Sequence, residues 1–127
     1  MHAQTYLLMA IARFIPEKVC EAVQFLHSKT SQPGFSATRG LHQALLIESQ
    51  EEPGRLAWLT TWDTKADSQA FLSSVWYTDL MAGLQPYLQQ QPEWYWYSLL
   101  EVWINEVEQA YHERRSCRQL SNIRKTD

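Results

Sequence analysis

Residues Arg55 to Trp62 alternate without giving the segment a polar side. In an extended chain Leu56, Trp58, Thr60 and Trp62 share one face, and Ala57, Leu59 and Thr61 share the other. Glu51-Glu52-Pro53-Gly54, just before it, supplies turn dihedrals and reads as a hairpin. The partner strand lies upstream, within Phe35 to Ser49, with its most regular part at Leu41 to Glu48 and Gly40 as a bulge or bend. Thr5 to Phe14 is another short, apolar-rich run, closed by Pro16, and suits a strand buried on both faces. Strands of this kind need cover on two sides.

Helical periodicity supplies one cover. Pro16 fits the first turn of a helix, and Val19, Ala22, Val23 and Leu26 form one apolar stripe that Pro33-Gly34 ends near Ser31. Thr64-Lys65-Ala66-Asp67 has the pattern of a capping box, with Thr64 as N-cap and Asp67 reaching back to it. The helix it opens runs to about Ser74. Tyr77, Leu80, Met81, Leu84 and Leu88 continue a helical stripe beyond a kink at Ser73-Ser74. After Pro92, Trp94 to Ile104 alternates as a long aromatic strand. The order strand, helix, strand, strand, helix, strand is the split βαβ, ferredoxin-like (βαββαβ) arrangement of the α+β class, an antiparallel sheet with both helices on one face.

The other face of that sheet is mostly apolar or aromatic, an area that a soluble monomer avoids exposing. A homodimer with two-fold symmetry, sheet against sheet, buries it. The 127 residues fit one domain with a real core, and 45% apolar with 20% charged residues is ordinary for a globular chain. Six Trp, six Tyr and four Phe are not ordinary, and point to an aromatic-lined cavity, a buried interface or both. A net charge of −3 offers no attraction to nucleic acid. Residues 106–127 read as a basic C-terminal extension beyond a domain of residues 1–105. Within it, 112–127 carry five basic side chains against two acidic ones, either a solvated terminus or a clamp onto the acidic body of a partner subunit. Cys20 and Cys117 form no CxxC pair, which suits reduced thiols and a cytoplasmic protein. Tyr6 to Ile11 lacks the preceding basic residues and the length of a signal segment, and no run approaches the ~20 apolar residues of a membrane span.

Pro33-Gly34-Phe35, Leu59-Thr60-Thr61-Trp62, Asp63-Thr64-Lys65, Ala70-Phe71, Ser74-Val75-Trp76-Tyr77 and Leu84-Gln85-Pro86-Tyr87-Leu88 together resemble the antibiotic biosynthesis monooxygenase superfamily. The resemblance spans roughly residues 5–105. It implies a dimeric α/β barrel and, in several members, oxygenation of polyketide-type phenols with no cofactor. Haem-degrading members use an Asn, a Trp and a His where this chain has Ala12, Phe71 and Met81, so the resemblance does not carry haem chemistry over. Quinone-forming members place an Asn and a Trp four residues apart on the third strand. Trp62 matches that Trp, and Trp58 stands in place of the Asn, on the same face but as a donor only.

Trp58, Trp62, Phe71 and Tyr77 are therefore the expected walls of a site for a small hydrophobic or aromatic ligand, facing the helices. His42 and Tyr77 are the candidate catalytic groups, His42 because its ordinary pKa lies near neutrality. His42 is expected on the strand face opposite Leu41, Gln43 and Leu45, with Arg13 and Glu101 toward the intersubunit face. The histidines and cysteines lack metal-ligand spacing, and no glycine pattern cradles a phosphate, so neither metal nor cofactor is expected. Three functions fit: a cofactor-independent monooxygenase, a small-molecule-binding module, and a structural dimer whose aromatics fill core and interface.

Overall fold

The computed structural model describes residues 6–103. Strand β1 (Tyr6–Phe14) leads through a 3-10 turn at Pro16–Lys18 into helix α1 (Val19–Thr30) and a single helical turn, α2 (Pro33–Ser36). Strands β2 (Leu41–Glu48) and β3 (Arg55–Trp62) follow, then helices α3 (Lys65–Leu72) and α4 (Val75–Leu84), a 3-10 turn at Gln85–Tyr87, and β4 (Leu88–Ser98). The sheet is antiparallel in the order β2-β3-β1-β4, so the two strands read as apolar on both faces are its central pair. The α+β, ferredoxin-like order stands. The expected extension over 106–127 lies outside the described residues.

Two boundaries differ from the sequence expectation. Phe35 opens no strand: Pro33 starts the turn of α2, and Phe35 is buried in the core. The fourth strand begins at Leu88, where a helical stripe was expected to end, and closes at Ser98, short of Ile104. Pro92 sits inside this strand because β4 is an edge and its ladder slips there. Glu93 opposes Ile11, while Gln90 opposes Arg13, a bulge that tolerates a missing N–H. Among the caps, Thr64 Oγ1 accepts from Asp67 N at 3.0 Å as expected. The Asp67 carboxylate turns instead toward Arg39 Nε, 3.9 Å away. Ser73-Ser74 is a break between two helices, and Ser74 Oγ caps α4 by accepting from Tyr77 N.

The helix-facing side of the sheet carries the core. Leu8, Phe14, Leu56 and Trp62 pack against Ala22 and Leu26 of α1, Phe71 of α3, and Tyr77, Leu80 and Leu84 of α4. Two indoles there are paired locally, Trp62 Nε1 donating to Thr60 Oγ1 at 2.7 Å and Trp96 Nε1 to Ser68 Oγ at 2.9 Å, while Trp76 Nε1 is buried with no hydrogen-bond partner among the described residues. The other side is open and laid out in rows by the strand registers. Across β2, β3, β1 and β4 these rows are Gln43, Thr61, Leu7, Tyr97; then Leu45, Leu59, Met9, Tyr95; then Ile47, Ala57, Ile11, Glu93. Beyond them Arg55 opposes Arg13, and Glu52 lies against both, at 2.6 Å from Arg13 Nε and 4.0 Å from Arg55. Arg13 thus reaches the open face as expected but pairs within its own chain, while Glu101 lies beyond the last strand. Leu45 and Ile47 are about half exposed, at 50% and 51%, with Tyr97 at 49% and Tyr95 at 42%.

Two glycines fix the turns that set these registers. Gly40, expected as a bulge within the second strand, precedes it, with φ +79°. Gly54, at φ +92°, ends the β2–β3 hairpin, and its carbonyl accepts from Phe14 N at 2.7 Å. A Cβ on Gly54 would lie 2.6 Å from the Phe14 oxygen. Gly54→Ala is therefore expected to lower unfolding free energy by about 1–3 kcal/mol in urea titration, from left-handed backbone strain and that collision.

Candidate functional site

The aromatic side chains singled out in the sequence come together, but in two roles. Phe71 of α3 is the hub: its ring centroid lies 5.4 Å from Trp62 and Tyr77, 5.5 Å from Trp76, 6.1 Å from Trp58 and 6.3 Å from Phe35. Phe35 in turn stacks on Trp58 at 5.8 Å and 24°. Trp62, with none of its surface exposed, and Phe71 are buried in this cluster and do not line the cavity between the sheet and helices α1 and α4. Trp58 and Tyr77 do line one, a cavity of about 40 Å³ between the sheet and helices α1 and α4.

Its remaining walls come from every layer of the fold: Ala10 and Ala12 of β1, Leu26 of α1, Leu46 of β2, and Leu80 and Met81 of α4. The space exists because Ala10 and Ala12 present only methyl groups where neighbouring helix-facing positions hold Leu8 and Phe14. One water needs about 10–15 Å³ of such space, so about 40 Å³ admits only a few waters, and its walls are almost wholly apolar, Tyr77 and Trp58 being the aromatic lining residues that carry polar side-chain atoms.

Tyr77 is held by a residue that the sequence did not single out. Trp94 Nε1 donates to the Tyr77 hydroxyl at 2.9 Å, and the two rings meet edge to face at 6.4 Å. The phenol oxygen is thereby used as an acceptor and its own proton remains to be donated. Burial pushes the Tyr77 pKa up to about 12, against a smaller downward effect of the Trp94 hydrogen bond. Tyr77 is thus a neutral donor near neutral pH, not a base.

His42 is elsewhere. A register shift between Leu41 and Gln43 puts those two residues on opposite faces, so His42 does not stand opposite both, as the simple alternation required. Its ring is exposed, and Nε2 pairs with Asp63 Oδ1 at the end of the sheet. It does not line the cavity beside Tyr77. Phe35, Trp76 and Trp94 complete the aromatic cluster and were not among the expected site residues. The alternation of the fourth strand, which places Trp94 and Trp96 on one face, was the signal for Trp94. Phe35 had none, since Pro33-Gly34 reads equally as the start of a strand. Among the described residues no three His, Cys, Asp or Glu side chains lie together as metal ligands, and no helix is long and apolar enough to cross a membrane.

The fold holds Tyr77 in its neutral form, so the stability this contributes is complete below pH 10 and is lost as pH rises through about 12. Unfolding free energy is expected to fall by about 2–3 kcal/mol more in the wild type than in Tyr77→Phe over that interval, measured by urea titration at each pH. At neutral pH, Tyr77→Phe costs about 0.5–1.5 kcal/mol, the worth of one hydrogen bond to a half-exposed indole.

No family model matches the chain, and no curated protein does. Solved structures do. A protein assigned as an antibiotic biosynthesis monooxygenase from Bordetella bronchiseptica superposes with a TM-score of 0.69 at 17% identity, covering 78% of this chain and 100% of its own. One of the same assignment from Caulobacter crescentus gives 0.68 at 14% identity, covering 77% and 92%. A protein of unknown function from Nitrosomonas europaea gives 0.68 at 20% identity, covering 83% and 98%. The fold of this chain is that of the antibiotic biosynthesis monooxygenase structures.

Proposed function

We propose that this protein is a homodimeric, cofactor-independent monooxygenase of the antibiotic biosynthesis monooxygenase kind, acting on a small aromatic or polyketide-like substrate held between Trp58 and Tyr77. The observation that carries this reading is Tyr77, which lines an apolar cavity and whose hydroxyl accepts from Trp94 and keeps its own proton to donate. A phenolate substrate placed there receives a hydrogen bond on its oxygen while its ring lies against Trp58. Such an electron-rich anion can reduce dioxygen itself. Among the described residues no carboxylate or histidine lines the cavity beside Tyr77, so the substrate enters already ionised, its phenol proton lost to solvent. The hydrogen of one ring C–H and a proton returned by solvent leave as water with one oxygen atom, and the other atom becomes the second carbonyl of a quinone.

The cavity as it stands is smaller than a ring. Met81 and Leu46 are the movable walls, Leu46 being exposed and Met81 partly so and unbranched. That narrowness favours a second reading, a binding module without turnover. A hydroxynaphthalene separates the two. Quenching of tryptophan fluorescence with oxygen uptake and quinone absorbance supports the oxygenase. Quenching without oxygen uptake leaves the binding module, and neither signal leaves a structural dimer. Tyr77→Phe is expected to lower turnover at least tenfold, the loss of one transition-state hydrogen bond of about 1.4 kcal/mol or more.

The homodimer rests on the open face of the sheet, where Leu45, Ile47, Tyr95 and Tyr97 stand half exposed in contiguous rows. Sheet-to-sheet pairing removes them from water. Leu45→Glu is expected to convert the dimer to a monomer in sedimentation velocity, with the helix-side core and far-ultraviolet spectrum unchanged. A wild type that sediments as a monomer overturns this part.

A further inference from the structure

The open face is not flat. A hollow of about 210 Å³ lies in it, lined by Met9, Ile11, Ile47 and Ala57 of the open face and, toward the β2–β3 hairpin, by Glu48, Ser49, Arg55 and Leu56. Its origin is one small side chain: in the row Ile47, Ala57, Ile11, the central strand β3 offers a methyl between two isoleucines. Left open between two packed sheets, a space of about 210 Å³ would be a serious void.

We propose that this hollow is the seat of the partner's Ile11, and that the contact aligns the dimer axis with the strands. The inference rests on the sheet-to-sheet homodimer proposed above and specifies its geometry. A two-fold axis lying between the sheets and parallel to the strands exchanges β3 with β1 and β2 with β4 while keeping each row opposite the same row. The third row then sets the partner's Ile11 over Ala57 on either side of the axis. Both residues lie on central strands, next to the axis, where the ~30° twist between aligned sheets displaces them least.

The remaining rows agree with that choice. The second row places the partner's Tyr95 over Leu45. The first places the partner's Tyr97 over Gln43, an amide able to pair with a phenol hydroxyl that burial would otherwise leave without a partner. The charged end meets its own copy, where Arg13 and Arg55 are balanced by Glu52 and Glu93 in each protomer. An axis running across the strands does worse. Centred on the Leu45 row, it sets Ala57 over Thr61 and leaves the hollow empty. Centred between the second and third rows, it lays Arg13 against Leu7 and Arg55 against Thr61.

The test is a double-mutant cycle on the full-length protein, read as dimer dissociation constants by sedimentation equilibrium. Ile11→Ala and Ala57→Ile are each expected to weaken the dimer by about 30-fold or more, one by emptying the hollow and one by overfilling it. The double variant, which moves the large side chain from β1 to β3, is expected to return to within about tenfold of wild type. Because Ile11 and Ala57 also face each other within one protomer, the two single variants are mixed as well, and a heterodimer of Ile11→Ala with Ala57→Ile chains is expected to be tighter than either variant homodimer. If the two effects simply multiply, or the mixed chains show no such preference, the partner's Ile11 does not meet Ala57, and the proposal is overturned while the homodimer stands. A monomeric wild type overturns both. Should Ala57→Ile prevent folding, Ala57→Val with Ile11→Val carries the same coupling test, and independence again rejects the contact.

Discussion

Everything on the helix side of the sheet is organised around the Phe71 ring. Five other aromatic rings, from α2, β3 and α4, approach it within 6.3 Å, each at the tilted or edge-on angles that the ring quadrupole prefers. Phe71 can occupy that place because α3 is started by Thr64 and stopped at Ser73-Ser74, which leaves the helix two turns long and aims its last buried residue at the sheet. The break at Ser74 then lets α4 begin at a new angle, so that Tyr77 meets Phe71 from the other side. Local capping by two hydroxyl side chains thus decides the geometry of the aromatic cluster, and the cluster decides which residues can face a ligand.

The same strands serve two environments because their alternation is complete. On β3, Leu56, Thr60 and Trp62 are buried by the protomer's own helices, while Ala57 and Leu59 on the opposite pleat remain partly exposed. The bulges fall where strict alternation would cause conflict. On β4 the slip at Gln91-Pro92 lets a proline sit in the strand and returns Glu93 to the open face beside Ile11. On β2 the slip at His42 keeps Leu41 over the core and releases His42 to Asp63. Counting along a regular strand puts Leu41 and Gln43 on one face with His42 opposite both, and the slip is what separates them.

The fold was legible from the sequence because its signals are long and periodic: the two-faced strand at 55–62, the stripe at 19–26 and the Thr64 cap each rest on several residues. What escaped depends on single residues in context. Pro33-Gly34-Phe35 has no period, and it becomes a helical turn because Phe35 finds Trp58, Trp76 and Phe71. Leu88 continues a helical spacing but pairs with Phe14 in the sheet, where tertiary pairing overrides local pattern. Of the four side chains expected to wall a site, the sequence could not tell the two that pack behind, Trp62 and Phe71, from the two that line the cavity, Trp58 and Tyr77. All four are aromatic and lie on the correct face. The difference is made by Ala10 and Ala12 on the neighbouring strand, whose small size opens space beside Trp58 and Tyr77.

Small side chains therefore matter as much as the aromatic ones on both faces of this sheet. Ala10 and Ala12 create the helix-side cavity, and Ala57, which opposes Ile11 in the ladder, creates the hollow on the open side. The two spaces share strand β1: even-numbered residues wall the first and odd-numbered residues the second. Pairing of two protomers through the open face would load Met9 and Ile11, and any shift of β1 in response would move Ala10 and Ala12 with it, because consecutive residues of one strand share a rigid backbone. The cavity at Tyr77 and the hollow of the open face are in that sense set by one strand, and a change of side-chain size on either pleat is felt on the other.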